Sequence, residues 1–146
     1  MSKDAQQKTV VVDAKGLVLG RMASEVAKRL LNGESVAIVN AKEAVISGKR
    51  LSIMRNTEAY LQKGHHRKGP LHFREPERIV KKVVRGMLPR TKPHGVEALK
   101  RLRVYTDLPE GLKDAEKTAL SSADASNLRG PYIKVSDLAR NIGWKE

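Results

Sequence analysis

The sequence predicts an α/β fold in a single domain, and three observations lead there. The chain has 146 residues, a length that suits one domain with its own core. Near its start a β-branched run, Thr9-Val10-Val11-Val12, ends at Asp13 and reads as a buried strand. A helix-period stretch and then a second apolar run follow within about thirty residues, the order of a βαβ unit with parallel strands and a right-handed crossover.

The elements follow in order. Residues 1–8 are polar and are expected to fray. Lys15-Gly16 and Gly20 read as a turn. From Arg21 onward Met22, Ala23, Val26, Ala27, Leu30 and Leu31 share one helix face, stopped at Asn32-Gly33. Residues 35–39, SVAIV, form the second strand and end at Asn40. Ala44-Val45-Ile46 is a short apolar piece before a turn at Ser47-Gly48. Residues 51–62 predict a weaker helix with Leu51, Met54 and Leu61 on one side.

Residues 63–74, KGHHRKGPLHFR, show no hydrophobic period and carry Gly64, Gly69 and Pro70. They predict an extended loop too basic to lie against other protein. A third helix begins at Glu75-Pro76, with proline in the first turn and Glu77 near the positive end of the helix dipole. Ile79, Val80, Val83, Val84, Met87 and Leu88 fall on one half of its wheel, and Arg78, Lys81, Lys82 and Arg85 on the other. Gly86 and Pro89 limit it. Residues 90–95, RTKPHG, read as a second basic loop, 96–102 as a short helix, and Arg103-Val104-Tyr105 as a strand. Residues 107–131 carry Asp107, Glu110, Asp114, Glu116 and Asp124 and read as a long surface excursion. Ser136 is expected to cap a last helix through Leu138, Ala139 and Ile142, closed by Gly143.

Composition narrows the function. Lys and Arg total 29 against 16 acids, a net charge of +13, which repels itself in the compact state and is relieved by a polyanion. The charge is also uneven. Residues 61–103 hold thirteen cations and three acids, whereas residues 104–146 hold six cations and seven acids. A solvated surface of mixed sign does not segregate in this way. The third helix and its two flanking loops therefore form one candidate anion-binding surface, with Lys63, His65, His66, Arg67, Lys68, Arg74, Arg78, Lys81, Lys82, Arg85, Arg90, Lys92 and His94 as its candidates. Gly64, Gly69 and Gly95 would let backbone approach the polyanion closely. Arg adds planar, bidentate contacts to phosphate.

The absence of cysteine removes disulfide scaffolds, Cys-based zinc sites and thiol nucleophiles, and fits a reducing compartment. No run approaches the 18 or so apolar residues of a membrane span. The start, MSKDAQQK, has no apolar core behind a basic patch. A cytoplasmic protein with no membrane partner is expected.

Among nucleic acids, folded RNA fits best. No second helix precedes the third by a short turn, as a DNA-binding helix-turn-helix requires. The chain lacks a Gly-x-x-Gly clamp and an aromatic-rich strand. Aromatics make up 3% of the chain, which argues against base stacking as the main mode and leaves shape and phosphate.

Motifs for chemistry are incomplete. A phosphate-binding P-loop needs Gly, four residues, then Gly-Lys-Ser/Thr. Gly48-Lys49 has Glu43 and Arg50 in the other two places, Gly64 and Gly69 are followed by Pro70 and Leu71, and Gly16 and Gly20 are one residue too close. Asp13 ends a strand, where α/β enzymes often keep an acid, but its usual second acid two residues on is Lys15. Asp13 reads as a turn former. His65, His66 and His72 lack carboxylates at helical spacing, so neither a metal site nor a cofactor is expected, and no catalytic residue or small-molecule substrate.

The residues also resemble a known family. Val11-Val12-Asp13-Ala14 with Leu19-Gly20-Arg21, then Val39-Asn40-Ala41 with Ser47-Gly48-Lys49, resemble the first two blocks of the universal large-subunit ribosomal protein L-thirteen family. Val84-Arg85-Gly86-Met87-Leu88-Pro89, Gly95 and Leu102-Arg103-Val104-Tyr105 are similar to its most specific signature. The likeness runs from about residue 9 to 109. Gly69-Pro70-Leu71-His72-Phe73-Arg74 with Pro76 and Arg78 looks like the archaeal and eukaryotic branch, and the lack of a long tail favours an archaeal-type member. Residues 110–146 carry no strong likeness. The resemblance implies a parallel sheet of about four strands with helices on both faces and a structural, non-enzymatic role in the ribosome. Its implied partners are large-subunit ribosomal RNA and neighbouring ribosomal proteins, without homo-oligomerisation. It implies RNA contacts for Arg85, Pro89, Arg90 and Lys92, and for Arg21 and Lys49; Arg50, beside Lys49, joins the candidates.

Two other readings compete. One is an α/β enzyme for a nucleotide or phosphate ester, using Asp13, Asn40 and Ser47. The other is a DNA-packing protein.

Overall fold

The computed structural model describes residues 9–146; residues 1–8, with the fraying expected of them, lie outside the described residues. The elements are β1 (Thr9–Asp13), α1 (Leu19–Leu31), β2 (Ser35–Val39), β3 (Val45–Ser47), α2 (Arg50–Gln62), α3 (Pro76–Met87), α4 (Pro93–Lys100), β4 (Leu102–Val104), β5 (Lys117–Thr118), β6 (Tyr132–Lys134) and α5 (Val135–Asn141). The predicted βαβ unit is present, with β1 parallel to β2 from Thr9 opposite Ser35 to Asp13 opposite Val39. The main sheet has four strands in the order β4-β2-β1-β5, each pair parallel, as the α/β expectation requires.

Handedness explains where the chain runs. The steps from β1 to β2 and from β2 to β4 go the same way across the sheet, so right-handed crossovers put both on one face. The step back to β5 has to pass the other face. Successive strand residues alternate between faces, and the packing follows. Val12, Val36, Ile38 and Leu102 join a core with Met22 and Leu30 of α1, Val80 and Val84 of α3 and Ala98 of α4. Val11, Ala37 and Val39 turn away toward Tyr105, Leu108, Leu112 and Ala115. Burial on both sides accounts for the unbroken apolar runs of β1 and β2. The covering of the second face differs from expectation in one respect. A 3-10 turn at Glu110–Leu112 and irregular chain lie there rather than an α-helix, because Pro109 and Gly111 interrupt any helical run.

Other boundaries move for local reasons. Gly20 lies inside α1, which starts at Leu19, because Leu17 and Val18 are held in bridges to Asp124 and Val45. In α2 no side chain is fully buried and Leu51 is exposed. Gly86 does not end α3, and Met87 closes it before the buried Leu88. α4 starts at Pro93, so His94 and Gly95 are helical rather than loop. Leu102 opens β4 instead of closing that helix. Residues 107–131 are mostly exposed, yet they supply β5, an edge strand on β1, and the buried Leu120 and Ala123. Ser136 is not a cap; it is buried within α5, after Lys134. An antiparallel pair of β3 with β6, Ile46 opposite Ile133, was not anticipated, since three-residue strands give too short a pattern to read.

Candidate nucleic-acid interface

α3 is the backbone of the site. Pro76 occupies its first turn, with Glu77 beside it, both favourable at a helix N-terminus. Val80 and Val84 are fully buried, while Arg78, Lys81, Lys82 and Arg85 are exposed. The two faces predicted from periodicity are therefore real, although Met87 is 43% exposed and does not belong to the buried half. Arg78 is tethered, its Nε 2.7 Å from Glu75 Oε2. Lys82 donates to the Tyr60 hydroxyl at 2.8 Å and lies 4.5 Å from that ring's centroid, a cation–π contact. Lys81 and Arg85 make no side-chain hydrogen bond or ion pair among the described residues.

The rest of the surface contrasts with this. Lys42 Nζ sits 2.8 Å from both Asp107 and Glu146, whose hydrogen bonds raise its pKa above the ordinary lysine value. Lys134 pairs with Glu43 at 2.8 Å, and Arg29 with Glu25 and Glu34. Those cations are already compensated. Among the described residues, Arg78 is the one cation of residues 61–103 in an ion pair, so most of the positive charge of that segment is left for an external anion.

The 63–74 loop divides in two. Lys63, His65, His66, Arg67 and Lys68 are exposed, around a turn in which the Lys68 and Gly69 amides donate to the His65 carbonyl. The His65 and His66 rings stack at 4.4 Å. The second half returns to the protein, contrary to expectation. His72 meets Tyr60 edge-on at 4.5 Å, Phe73 is half-buried with the Arg78 guanidinium 6.0 Å from its ring centre, and Arg74 lies against Gly143. The rings of His72 and Phe73 outweigh the charge argument there, whereas Leu71 stays 85% exposed. The glycines also need correction. A Cβ on Gly69 would collide with the His65 backbone, one on Gly64 with Pro70, and one on Gly95 with the Pro89 carbonyl. Their smallness serves contacts within the chain.

Phe73, Arg78, Lys81, Lys82, Arg85 and Leu99 line one cleft of about 280 Å³. Lys63, His65, His66 and Arg67 border a separate shallow depression with Pro70. Arg90, Lys92 and His94 are exposed at the α3–α4 corner. Lys49 and Arg50 stand at the start of α2 and Lys63 at its end, roughly 20 Å apart at 1.5 Å per residue, and Arg50 faces Asp137 at 3.7 Å. Arg21 is exposed in the first turn of α1. Arg21, Lys49, Arg50, Lys63, Arg90, Lys92 and His94 are not part of the α3 cleft. Sequence reasoning missed Arg103, which shares a recess with Arg78 and Lys81; the alternation Leu102-Arg103-Val104 was the available signal. Arg101 has a structural task, donating to the Leu30 carbonyl at 2.8 Å.

Asp13 is engaged as a turn former. Its Oδ1 accepts from Asn40 Nδ2 at 2.9 Å and from the Lys15 amide at 3.1 Å, and Lys117 donates to Oδ2 at 3.3 Å. Partial burial pushes its pKa up, but these hydrogen bonds outweigh burial and hold it below the ordinary value. Ser47 lies apart, on β3 opposite Tyr132, so the strand-end trio is not assembled. No three His, Asp or Glu side chains among the described residues come together as a metal-holding group, and no described helix is long and apolar enough to cross a membrane.

Comparison with known proteins places the chain in a family. The family model for Ribosomal protein L13 matches residues 7–111. A large ribosomal subunit protein uL13 of Methanococcoides burtonii is 42% identical over 136 residues, spanning 92% of this chain and 98% of that protein. Its counterpart in Aeropyrum pernix is 42% identical over 144 residues, 96% and 93% of the two chains. That of Saccharolobus solfataricus is 34% identical over 148 aligned positions, 99% of each. The last two alignments reach well into residues 110–146, where the sequence alone had shown no strong likeness.

Proposed function

The chain belongs to the Ribosomal protein L13 family, and from that premise we propose that it binds large-subunit ribosomal RNA through the α3 face and helps assemble and stabilise the large subunit. It is a ribosomal protein of the large subunit, as its archaeal relatives are. The carrying observation is the pair Lys81 and Arg85, exposed and unpaired above the fully buried Val80 and Val84. A rigid helix thus presents cations that no described residue pairs, and phosphates are the natural complement.

On this reading Arg78, Lys81, Lys82, Arg85, Arg90, Lys92 and His94 form the central contact, with Arg103 beside them. Lys63, His65, His66, Arg67, Lys68 and Arg74 extend it along the loop, while Arg21, Lys49 and Arg50 meet a separate stretch of RNA. The role is structural and non-enzymatic, exercised on the ribosome in the cytoplasm beside other ribosomal proteins, with one copy per contact rather than a homo-oligomer. The test is sedimentation of a lysate at rising salt. The protein is expected to travel with 50S-type particles and to be released by ribonuclease. A free protein indifferent to ribonuclease overturns the reading.

A further inference from the structure

We propose that the cleft between α3 and Phe73 takes a single unstacked RNA base, with the phosphates on either side of it held by Lys81 and Arg85. This rests on the RNA-binding reading above and adds to it a site and a mode of recognition.

The first ground is where the chain spends an aromatic ring. It contains one phenylalanine, and a core short of aromatics would gain from burying it. Phe73 is instead half-buried, at a surface cleft shared with four cations and Leu99. The second ground is the mixed chemistry of that cleft. Cations alone suit a duplex backbone, but an apolar floor inside a cationic rim suits one nucleotide, whose base has a π-face and whose phosphates carry charge. The third is size. About 280 Å³ lies just below the roughly 300–1,000 Å³ of clefts that enclose drug-sized ligands, a volume that admits a planar ring.

The individual side chains divide the work. Glu75 holds Arg78, whose guanidinium stands 6.0 Å from the Phe73 ring centre and forms the wall of the slot. Tyr60 holds Lys82. Lys81 and Arg85 remain, one helical turn apart, about 5–6 Å between Cβ atoms, and like charges so placed repel. Phosphates at the mouth of the cleft would relieve that repulsion. An acidic peptide would satisfy the cations but leave the floor uncovered.

The experiment uses the full chain and three probes: a short oligouridylate, an abasic ribose-phosphate chain of equal length, and an RNA duplex, each followed by fluorescence anisotropy across a salt series. The wild type is expected to bind oligouridylate about tenfold or more tighter than the abasic chain. Phe73→Leu keeps the apolar volume but removes the ring; it should erase that preference while duplex affinity and salt slope stay put, and Phe73→Trp should retain it. Equal binding of oligouridylate and the abasic chain by the wild type, or equal losses for both in Phe73→Leu, overturns the base site. So does a polyglutamate peptide that displaces oligouridylate only when Phe73 is present. Arg85→Gln separates the two levels: if it weakens all three probes the RNA-binding reading stands whatever becomes of the base site, and if it weakens none that reading falls too.

Discussion

Gly95 lies directly against the backbone carbonyl of Pro89, so close that a Cβ placed on it would overlap that oxygen. The same carbonyl accepts from the Lys92 amide at 3.1 Å, and the Lys92 carbonyl accepts from the Gly95 amide at 3.1 Å. The end of α3 and the first turn of α4 are thereby folded onto each other, and Arg90 and Lys92 project from the corner between them.

Gly95→Ala is therefore expected to destabilise the protein by about 1–3 kcal/mol, the usual cost of forcing atoms into a packed site. Urea denaturation measures it. A change within a few tenths of a kcal/mol, with unaltered RNA binding, would show that the corner has slack.

Asp13 predicts a pH effect. Its carboxyl is held below its ordinary value of 3.8, so it releases its proton more readily folded than unfolded. Its contribution is complete above the unfolded value and is lost as pH falls through the folded one. Asp13→Asn should cost about 1 kcal/mol near neutrality, since the Lys117 pair is partly solvated. The gap between the two thermal midpoints should narrow as pH falls past the ordinary value of 3.8 and close below the lowered folded one. A gap independent of pH contradicts the assignment.

Arg85 and Lys82 were equivalent on a helical wheel, but the structure distinguishes them. Arg85 has no side-chain partner among the described residues, whereas Lys82 is shared with Tyr60. Arg85→Ala should lower the log–log salt slope of binding to a large-subunit RNA fragment by about one unit per phosphate lost, and Lys82→Ala by less. Filter binding across salt concentrations decides it, and the reverse order would contradict the geometry.

Val84 and Lys81 test the two faces of α3. Val84 is fully buried, and an unpaired charge there costs several kcal/mol, comparable with a total stability of about 5–15 kcal/mol. Val84→Asp should abolish the cooperative circular-dichroism transition. Val83, only half-buried, should tolerate the same change better. Lys81→Asp should fold normally and lose RNA affinity.

Much of this was legible because the signals are local. β2 matched its apolar run to the residue and β1 to within one, and the faces of α3 followed, but for Met87, from a period of 3.6. The charge of residues 61–103 marked the candidate interface. What escaped depended on contacts distant in sequence. β5 exists because Lys117-Thr118 meets Val11-Val12, and β3 pairs with β6 across more than eighty residues. Pro93 reads in sequence as a loop residue, yet it opens α4, since proline serves a helix start as readily as a turn. Phe73 passed unmarked because one ring in a basic stretch has no period to betray it.

The amino-acid sequence by itself determined the α/β class, the βαβ opening, the segregation of positive charge and the family, all properties carried by nearest neighbours along the chain or by composition. Only the tertiary structure decided which cations stay unpaired among the described residues, which glycines serve packing, and that Phe73 and Leu99 line one cleft with the α3 cations. Those outcomes depend on distances between residues far apart in the chain, and such distances are set when the elements pack.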